Sequence, residues 1–258
     1  MTDETQFISS AGNALLKDLR RLAHDSTAYR KQGRVWLEGD HLCRAALARG
    51  VTPHQAIFAE SFWTAEQHLW QGHGGRNVVL ADNLFDSLSA LESPARMGFV
   101  LELPVVPELQ AEAASVILDR VQDAGNVGAI LRCAAAFGFG QVLAIKGTAA
   151  LWSPKVLRAG MGAHFGLRLI EGLAAEQLEA LAVPIITTSS HAGELLHRQA
   201  LPWPCAWALG HEGQGVGAAV HERARLAVRI AQPGGEESLN VASAAAICLH
   251  ASACAQVQ

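Results

Sequence analysis

Three segments of this 258-residue chain concentrate the residue types that hold ligands and steer reacting groups. The first, DRVQDAGNVGAILRCAAAFGFG, runs from Asp119 to Gly140. Gly125 and Gly128 bracket Asn126 where an apolar run gives way to a helical pattern, and Arg132 follows on the opening turns of that helix. An Asn amide both donates and accepts, and a guanidinium offers a planar fork of donors matched to phosphate. The second segment, ALGHEGQGVG from Ala208 to Gly217, sets Gly210, Gly213, Gly215 and Gly217 directly after an apolar run, with Glu212 as its one carboxylate. Glycines at that density let the backbone approach a ligand closely or take positive φ. The third, IAQPGGEESLNVASAAAICLH from Ile230 to His250, turns at Pro233–Gly235 and offers Ser238 or Asn240 as a helix cap. Taken singly, each has a plain structural explanation: a glycine turn with a surface Arg, a hairpin-like loop with an exposed Glu, an ordinary cap. Their combination, in this order, points to a site.

Other chemistries lack their signatures. The second segment is spaced GxxGxGxG, so it is neither a dinucleotide fingerprint nor a P-loop. No GxSxG elbow marks a serine hydrolase. Eleven histidines include no HExxH; His211 adjoins Glu212, His164 lies in GAHFG, and His191 and His197 are not at i,i+4 spacing. No metal site is therefore expected. The five cysteines form no CxxC pair and are expected as buried, reduced thiols of a cytoplasmic protein. The polar start MTDETQFISS does not resemble a secretory signal. The longest weakly polar stretch, Val241–Ala255, is Ala-rich and broken by His250, whereas a membrane span needs about 20 strongly apolar residues.

The net charge of −4 excludes a histone-like polycation but allows a local basic face. Lys17, Arg20, Arg21, Arg30, Lys31 and Arg34 stand against Asp18 and Asp25, six positive against two negative, a local +4 on an acidic chain. These six are the candidate nucleic-acid contacts, weighed against a solvated helix face.

Elements must carry these residues, and the pattern is α/β. In the N-terminal part, Asn13–His24 places Leu15, Leu16, Leu19 and Leu22 on one helical face. Arg34–Glu38, Gln55–Ala59, Asn77–Leu80 and Gly98–Leu103 read as strands, with a helix through Leu47 and another over Ala65–Trp70. This predicts a small α/β sandwich. Leu103–Ala114, with two prolines, reads as a linker, giving domains at 1–104 and 115–258 joined by 105–114. The C-terminal part alternates apolar runs (Val116–Leu118, Val142–Ile145, Leu167–Ile170, Pro184–Thr187, Ala206–Leu209, Leu226–Ile230) with helical stretches at Val127–Phe137, Pro154–Met161, Ala174–Leu181, Gly217–Arg223 and about Leu239–Ala255. Apolar runs separated by helices predict a parallel sheet, with ligands at the carboxyl ends of its strands.

The three segments resemble motifs 1, 2 and 3 of the SpoU-type RNA ribose methyltransferases of the SPOUT superfamily, over about Val116–His250. The N-terminal half resembles the substrate-binding domain that often precedes that catalytic domain, a ribosomal-protein-like RNA-binding fold. SAGNALLKDLRRL and YRKQGRVWLEGDHLCRAAL repeat its Asn-x-x-x-Lys, Tyr-Arg and Glu-Gly pattern. WSPKVLRAGMGAHFGL looks most like the ribosomal-RNA members. Two departures stand in motif 1: Ala124 where Pro is common, which would soften the turn, and Cys133 where Thr is common.

The resemblance implies a trefoil-knotted catalytic domain, a feature too rare for the residue pattern itself to indicate. It implies S-adenosylmethionine as cofactor, a homodimer with a shared site, and methyl transfer to a ribose 2′-hydroxyl of structured RNA, in the first place ribosomal RNA. Asn126 and Arg132 fall on the motif 1 polar pair, Gly210, Glu212 and Gly215 on motif 2, and Ser238, Leu239 and Asn240 on the motif 3 triplet, with Ile230 preceding it. The catalytic set is then Asn126, Arg132, Glu212, Ser238 and Asn240; the cofactor set is Thr188, Gly210, Gly215, Ile230 and Leu239. A guanidinium holds its proton too tightly to be a base, so Arg132 is read as a clamp on the phosphate beside the target ribose, with Asn126 positioning it or the substrate and Glu212 orienting Arg132 or the partner chain rather than serving as base. The rival readings are a transfer-RNA methyltransferase of the same fold and a catalytically silent ribosome-assembly factor.

Overall fold

Leu16, Leu19, Leu22 and Ala23 fall on one side of the first helix and are buried, while Lys17, Arg21 and His24 stay exposed. Burying such stripes against strands builds both parts of this chain, for which a computed structural model describes residues 5–73, 75–89, 93–189, 193–234 and 238–256. The chain divides into two compact units, Met1–Val105 with Trp152–Phe165, and Val106–Leu151 with Gly166–Gln258.

The first unit runs β1 (Thr5–Ile8), α1 (Ala14–His24), α2 (Ala28–Gln32), β2 (Arg34–Glu38), α3 (Asp40–Ala48), β3 (Gln55–Ala59), α4 (Glu60–Trp70), β4 (Arg76–Leu80), α5 (Asp82–Asp86) and β5 (Met97–Glu102). The sheet order is β1-β4-β3-β5-β2. β1, β4 and β3 are parallel; β5 runs antiparallel to both β3 and β2. The strand β1 was not expected from the polar N-terminus, where only Ile8 is buried and Phe7 is 65% exposed. The helix expected from Ala65 begins at Glu60. Trp152–Phe165, expected within the C-terminal domain, packs with this unit. There Gly162 is set against Ala45, where an added Cβ would stand 2.5 Å from the Ala45 Cβ.

The second unit runs β6 (Ser115–Asp119), α6 (Ala124–Ala136) and β7 (Gln141–Ile145). After α7 (Pro154–Gly160, in the first unit) come β8 (Arg168–Leu173), β9 (Ile185–Thr188), β10 (Glu194–Leu195), β11 (Ala206–Gly210), α8 (Ala218–His221), β12 (Leu226–Arg229) and α9 (Val241–Cys254). Its seven strands, ordered β10-β12-β9-β11-β6-β7-β8, pair in parallel throughout. The stretch expected as a helix at Ala174–Leu181 is a 3-10 turn over Ala175–Ala180. The expected linker is partly fastened to this unit. The buried Gln141 side chain accepts from the Gln110 N–H at 2.8 Å and donates to Gln110 O and to Ser115 Oγ.

α9 closes the unit by packing on α6 and β11. Its buried Ser252 accepts a 2.9 Å hydrogen bond from Trp207 Nε1 on β11. Burial pushes the Cys205 thiol up to about 11 and the Cys248 thiol up to about 12, so both are inert core groups. Two cysteines depart from the buried expectation: Cys133 is half-buried and Cys254 exposed on the last turn of α9. No helix among the described residues is long and apolar enough to cross a membrane.

Candidate functional site

Asp123 caps α6, its side chain accepting from the Asn126 N–H at 2.7 Å. The helix therefore starts at Ala124, three residues earlier than the periodicity indicated. Asn126 lies inside its first turn, and Arg132 sits more than two turns in rather than on the opening turns. Ala124 occupies the first helical position, where Pro is favoured because its missing N–H would have no helical partner. Asp123 supplies the cap, with Ala124 at the first helical position.

The motif 2 loop follows β11. His211 and Gly215 exchange two backbone hydrogen bonds, 3.0 and 2.8 Å, and Gly215 takes φ +67°. His211 Nδ1 accepts from the Gly213 and Gln214 N–H groups, so the loop is folded on itself. Gly210 has the Gly215–Val216 backbone packed where a Cβ would stand, so no other residue fits there. At the loop tip, Glu212 turns back to the start of α6. It accepts from the backbone N–H of Gln122 at 3.2 Å, from that of Asp123 at 3.0 Å, and from Asn126 Nδ2 at 3.1 Å. Desolvation opposes its charge, but these N–H donors outweigh it and hold the carboxyl down at about 2. The carboxylate also complements the positive end of α6.

The third motif closes the network. Asn240 caps α9, its Oδ1 accepting from the Ala242 and Ser243 N–H groups at 2.9 and 3.2 Å. Its Nδ2 donates to Asn126 Oδ1 at 3.0 Å. Glu212, Asn126 and Asn240, separated by up to 114 residues in sequence, thus form one hydrogen-bonded row across all three motifs.

Around this row, Thr188, Gly210 and the residue before Ile230 end β9, β11 and β12, three strands adjacent in the order β12-β9-β11. Thr188 and Ile230 are half-buried, and Leu239, next to the α9 cap, is 40% exposed. The expected cofactor residues thus share the carboxyl edge of the sheet or abut the cap.

Arg132 is exposed and makes no hydrogen bond or ion pair with the described residues, so Glu212 orients Asn126 and not Arg132. Ser238 is exposed and likewise unbonded among them; the cap is Asn240 alone. Of the Pro233–Gly235 turn, Gly235 lies outside the described residues, as does His191. The six basic residues all lie on or beside α1, α2 and the start of β2, but they are not equally free. Arg20 donates to Ser87 Oγ at 2.6 Å, and Arg30 donates to the Tyr29 hydroxyl at 3.0 Å.

One group at this edge escaped the sequence reading. Asp119 ends β6 and is only 3% exposed. Its Oδ2 accepts from the Gly217 N–H at 2.6 Å, and its Oδ1 pairs with Arg120 Nε at 2.9 Å. Arg120 Nη1 reaches Gln214 Oε1 at 3.0 Å. An Asp-Arg dipeptide at a strand end carries no signal that its partners lie 94 and 98 residues away.

With this geometry in view, comparison defines the class. Residues 113–250 match the SpoU rRNA Methylase family. The chain is 32% identical over 250 residues to the 23S rRNA (guanosine(2553)-2′-O)-methyltransferase RlmP of Bacillus subtilis, covering 94% of this chain and 97% of that protein. It is 32% identical over 270 residues to an uncharacterized tRNA/rRNA methyltransferase of Synechocystis, covering 97% and 94% respectively. Among solved structures, an RNA 2′-O ribose methyltransferase superposes with a TM-score of 0.82 at 28% identity, over 98% of this chain and 100% of that one. A TrmH-family protein from Porphyromonas gingivalis, described as a putative RNA methyltransferase, gives 0.81 at 28% identity, over 94% and 98%. The chain belongs to the SpoU rRNA methylase family.

Proposed function

We infer that this chain transfers a methyl group from S-adenosylmethionine to a ribose 2′-hydroxyl of ribosomal RNA. The observation that carries this is the Glu212–Asn126–Asn240 row at the carboxyl edge formed by β9, β11 and β12. The residues present fit the cofactor. Ile230 and Leu239 leave aliphatic surface partly in water for a purine face, beside the loop in which the exposed Gly215 folds back over Gly210. When bound, the sulfonium supplies an electrophilic methyl group.

The chain then has to place a poor nucleophile in line. Arg132, free of other partners among the described residues, takes the phosphate beside the target ribose and stabilises the developing alkoxide. Asn126 is fixed at both ends of its amide, so it positions groups without moving. Asn240 orders the third motif beside it, and the exposed Ser238 is left for the substrate. The RlmP resemblance over nearly the whole of both chains favours ribosomal RNA over transfer RNA.

The same reading extends to a cytoplasmic, knotted homodimer whose residues 1–104 grip RNA. Its support is the set of unpaired cysteines, the exposed Lys17 and Arg21, and Ile247, 41% exposed on α9, as apolar surface for a second copy. Light scattering at micromolar concentration then reports about twice 27.3 kDa; a monomer counts against a shared site. The function itself is tested by calorimetry with S-adenosylmethionine, S-adenosylhomocysteine and NAD. Binding of the two sulfur compounds is expected; binding of NAD and of neither sulfur compound overturns the assignment.

A further inference from the structure

Arg120 holds a backbone conformation that costs it free energy. Its φ is +60°, a region where non-glycine residues are uncommon, at a position where glycine would sit without strain. Several contacts oppose that cost. Its N–H donates to Thr148 Oγ1 at 3.1 Å, and Thr148 Oγ1 in turn donates to Leu118 O at 2.9 Å. Its aliphatic stem runs over Gly147, where a Cβ would stand 3.2 Å from Arg120 Cγ. The guanidinium then bridges two elements: Nε and Nη2 hold the buried Asp119, and Nη1 holds Gln214 in the motif 2 loop. Asp119 fastens the far end of the same loop through the Gly217 N–H. Gly217 leaves room for this, since a Cβ would stand 2.8 Å from Arg120 Nη2 and 3.1 Å from Asp119 Oδ2 and would press on both.

The loop is thus anchored twice, and the anchors differ in what they hold. Glu212 has its own three donors at the start of α6 and does not depend on Arg120. Gln214 and Gly217 flank Gly215 and Val216, the stretch whose backbone passes over Gly210. Arg120 and Asp119 therefore fix the part of the loop that folds over Gly210.

We propose that Arg120 is a positioning residue, pre-forming the Gly210–Gly217 backbone for the cofactor through Asp119 and Gln214. This rests on the methyltransferase reading of the same edge. Pre-formation removes an ordering cost from binding, so its loss appears in cofactor affinity. Transfer at saturating cofactor is governed by the Arg132 and Asn126 side of the site and stays close to normal.

The test uses the full chain and the variants Arg120→Gly, Arg120→Lys and Gln214→Ala. Arg120→Gly relieves the backbone strain, and Gln214→Ala removes an exposed side chain, so both are expected to fold. S-adenosylmethionine and S-adenosylhomocysteine binding is measured by calorimetry, thermal midpoints are recorded, and single-turnover methyl transfer to rRNA from cells lacking this chain is followed at rising cofactor. The expected result is cofactor binding weakened about tenfold in Arg120→Gly and Arg120→Lys and about threefold in Gln214→Ala, with rates at saturating cofactor within about threefold of the parent. Lys keeps the charge beside Asp119 but lacks the planar fork that reaches Gln214 as well. Unchanged affinity in Arg120→Gly, or a loss confined to the saturated rate, overturns the proposal while leaving the methyltransferase reading in place. Failure of the unaltered chain to bind either sulfur compound overturns both.

Discussion

Glu212 owes its charge to amide donors, and this gives it a definite pH signature. Its carboxyl is held at about 2 in the folded chain, below its ordinary 4.5. A depressed folded value adds stability above the unfolded value and loses it as pH falls toward the folded one. The advantage of the parent over Glu212→Gln in thermal melts is therefore expected to be flat from pH 8 to about 5 and to shrink from about 4.5 toward 2. A gap that changes between pH 6 and 8 contradicts the hydrogen-bond assignment. Arg132 is the opposite case, a charge left unbonded among the described residues. If it orients a phosphate through its fork, Arg132→Lys and Arg132→Ala both lose about 10²–10³ in single-turnover transfer. Cofactor binding persists in both. Near-normal transfer by Arg132→Ala removes it from the mechanism, and lost cofactor binding makes it a structural residue instead.

At the level of elements, what was legible followed periodicity. The strands β6, β7 and β11 are buried along their whole length, so their centres read as apolar runs, while the buried Ser115, Asp119 and Gln141 at their ends did not. The face of α1 read directly from its leucines. The hydrogen-bonded row of Glu212, Asn126 and Asn240 was legible only as types and order, because the bonds that make it link positions 86 and 114 residues apart. β1 was hidden by its polar residues, and the 3-10 turn at Ala175–Ala180 by a composition that suits an α-helix equally well. Trp152–Phe165 was assigned by its neighbours in sequence, whereas its packing follows Ala45. The closing helix offers a test of packing. Ser252→Ala leaves the buried Trp207 Nε1 without its acceptor, and an orphaned buried donor costs about 1–3 kcal/mol. Denaturant melts at unchanged m-value are expected to show that loss; a change under about 0.5 kcal/mol contradicts a stabilising role for this bond.

At the scale of the whole molecule, the proposal gives the two units different work, RNA contact to one and cofactor binding to the other. Arg20 and Arg30 already have side-chain partners, so Lys17, Arg21 and Lys31 are the better probes of RNA contact. Replacing all three with Ala is expected to weaken RNA binding and flatten its salt dependence by roughly one unit per lost phosphate contact. Cofactor affinity is expected to be unchanged; unmoved RNA affinity makes these residues a solvated face. Activity itself is read most directly from the chemistry of the product. A ribose 2′-O-methyl group blocks the hydroxyl that attacks the neighbouring phosphodiester in alkali, so the modified site survives hydrolysis as a dinucleotide. rRNA from cells lacking this chain, incubated with the protein and methyl-labelled S-adenosylmethionine and then hydrolysed in alkali, is expected to yield a labelled alkali-resistant dinucleotide. Label recovered only in mononucleotides, or no incorporation by a chain that binds the cofactor, contradicts ribose methylation.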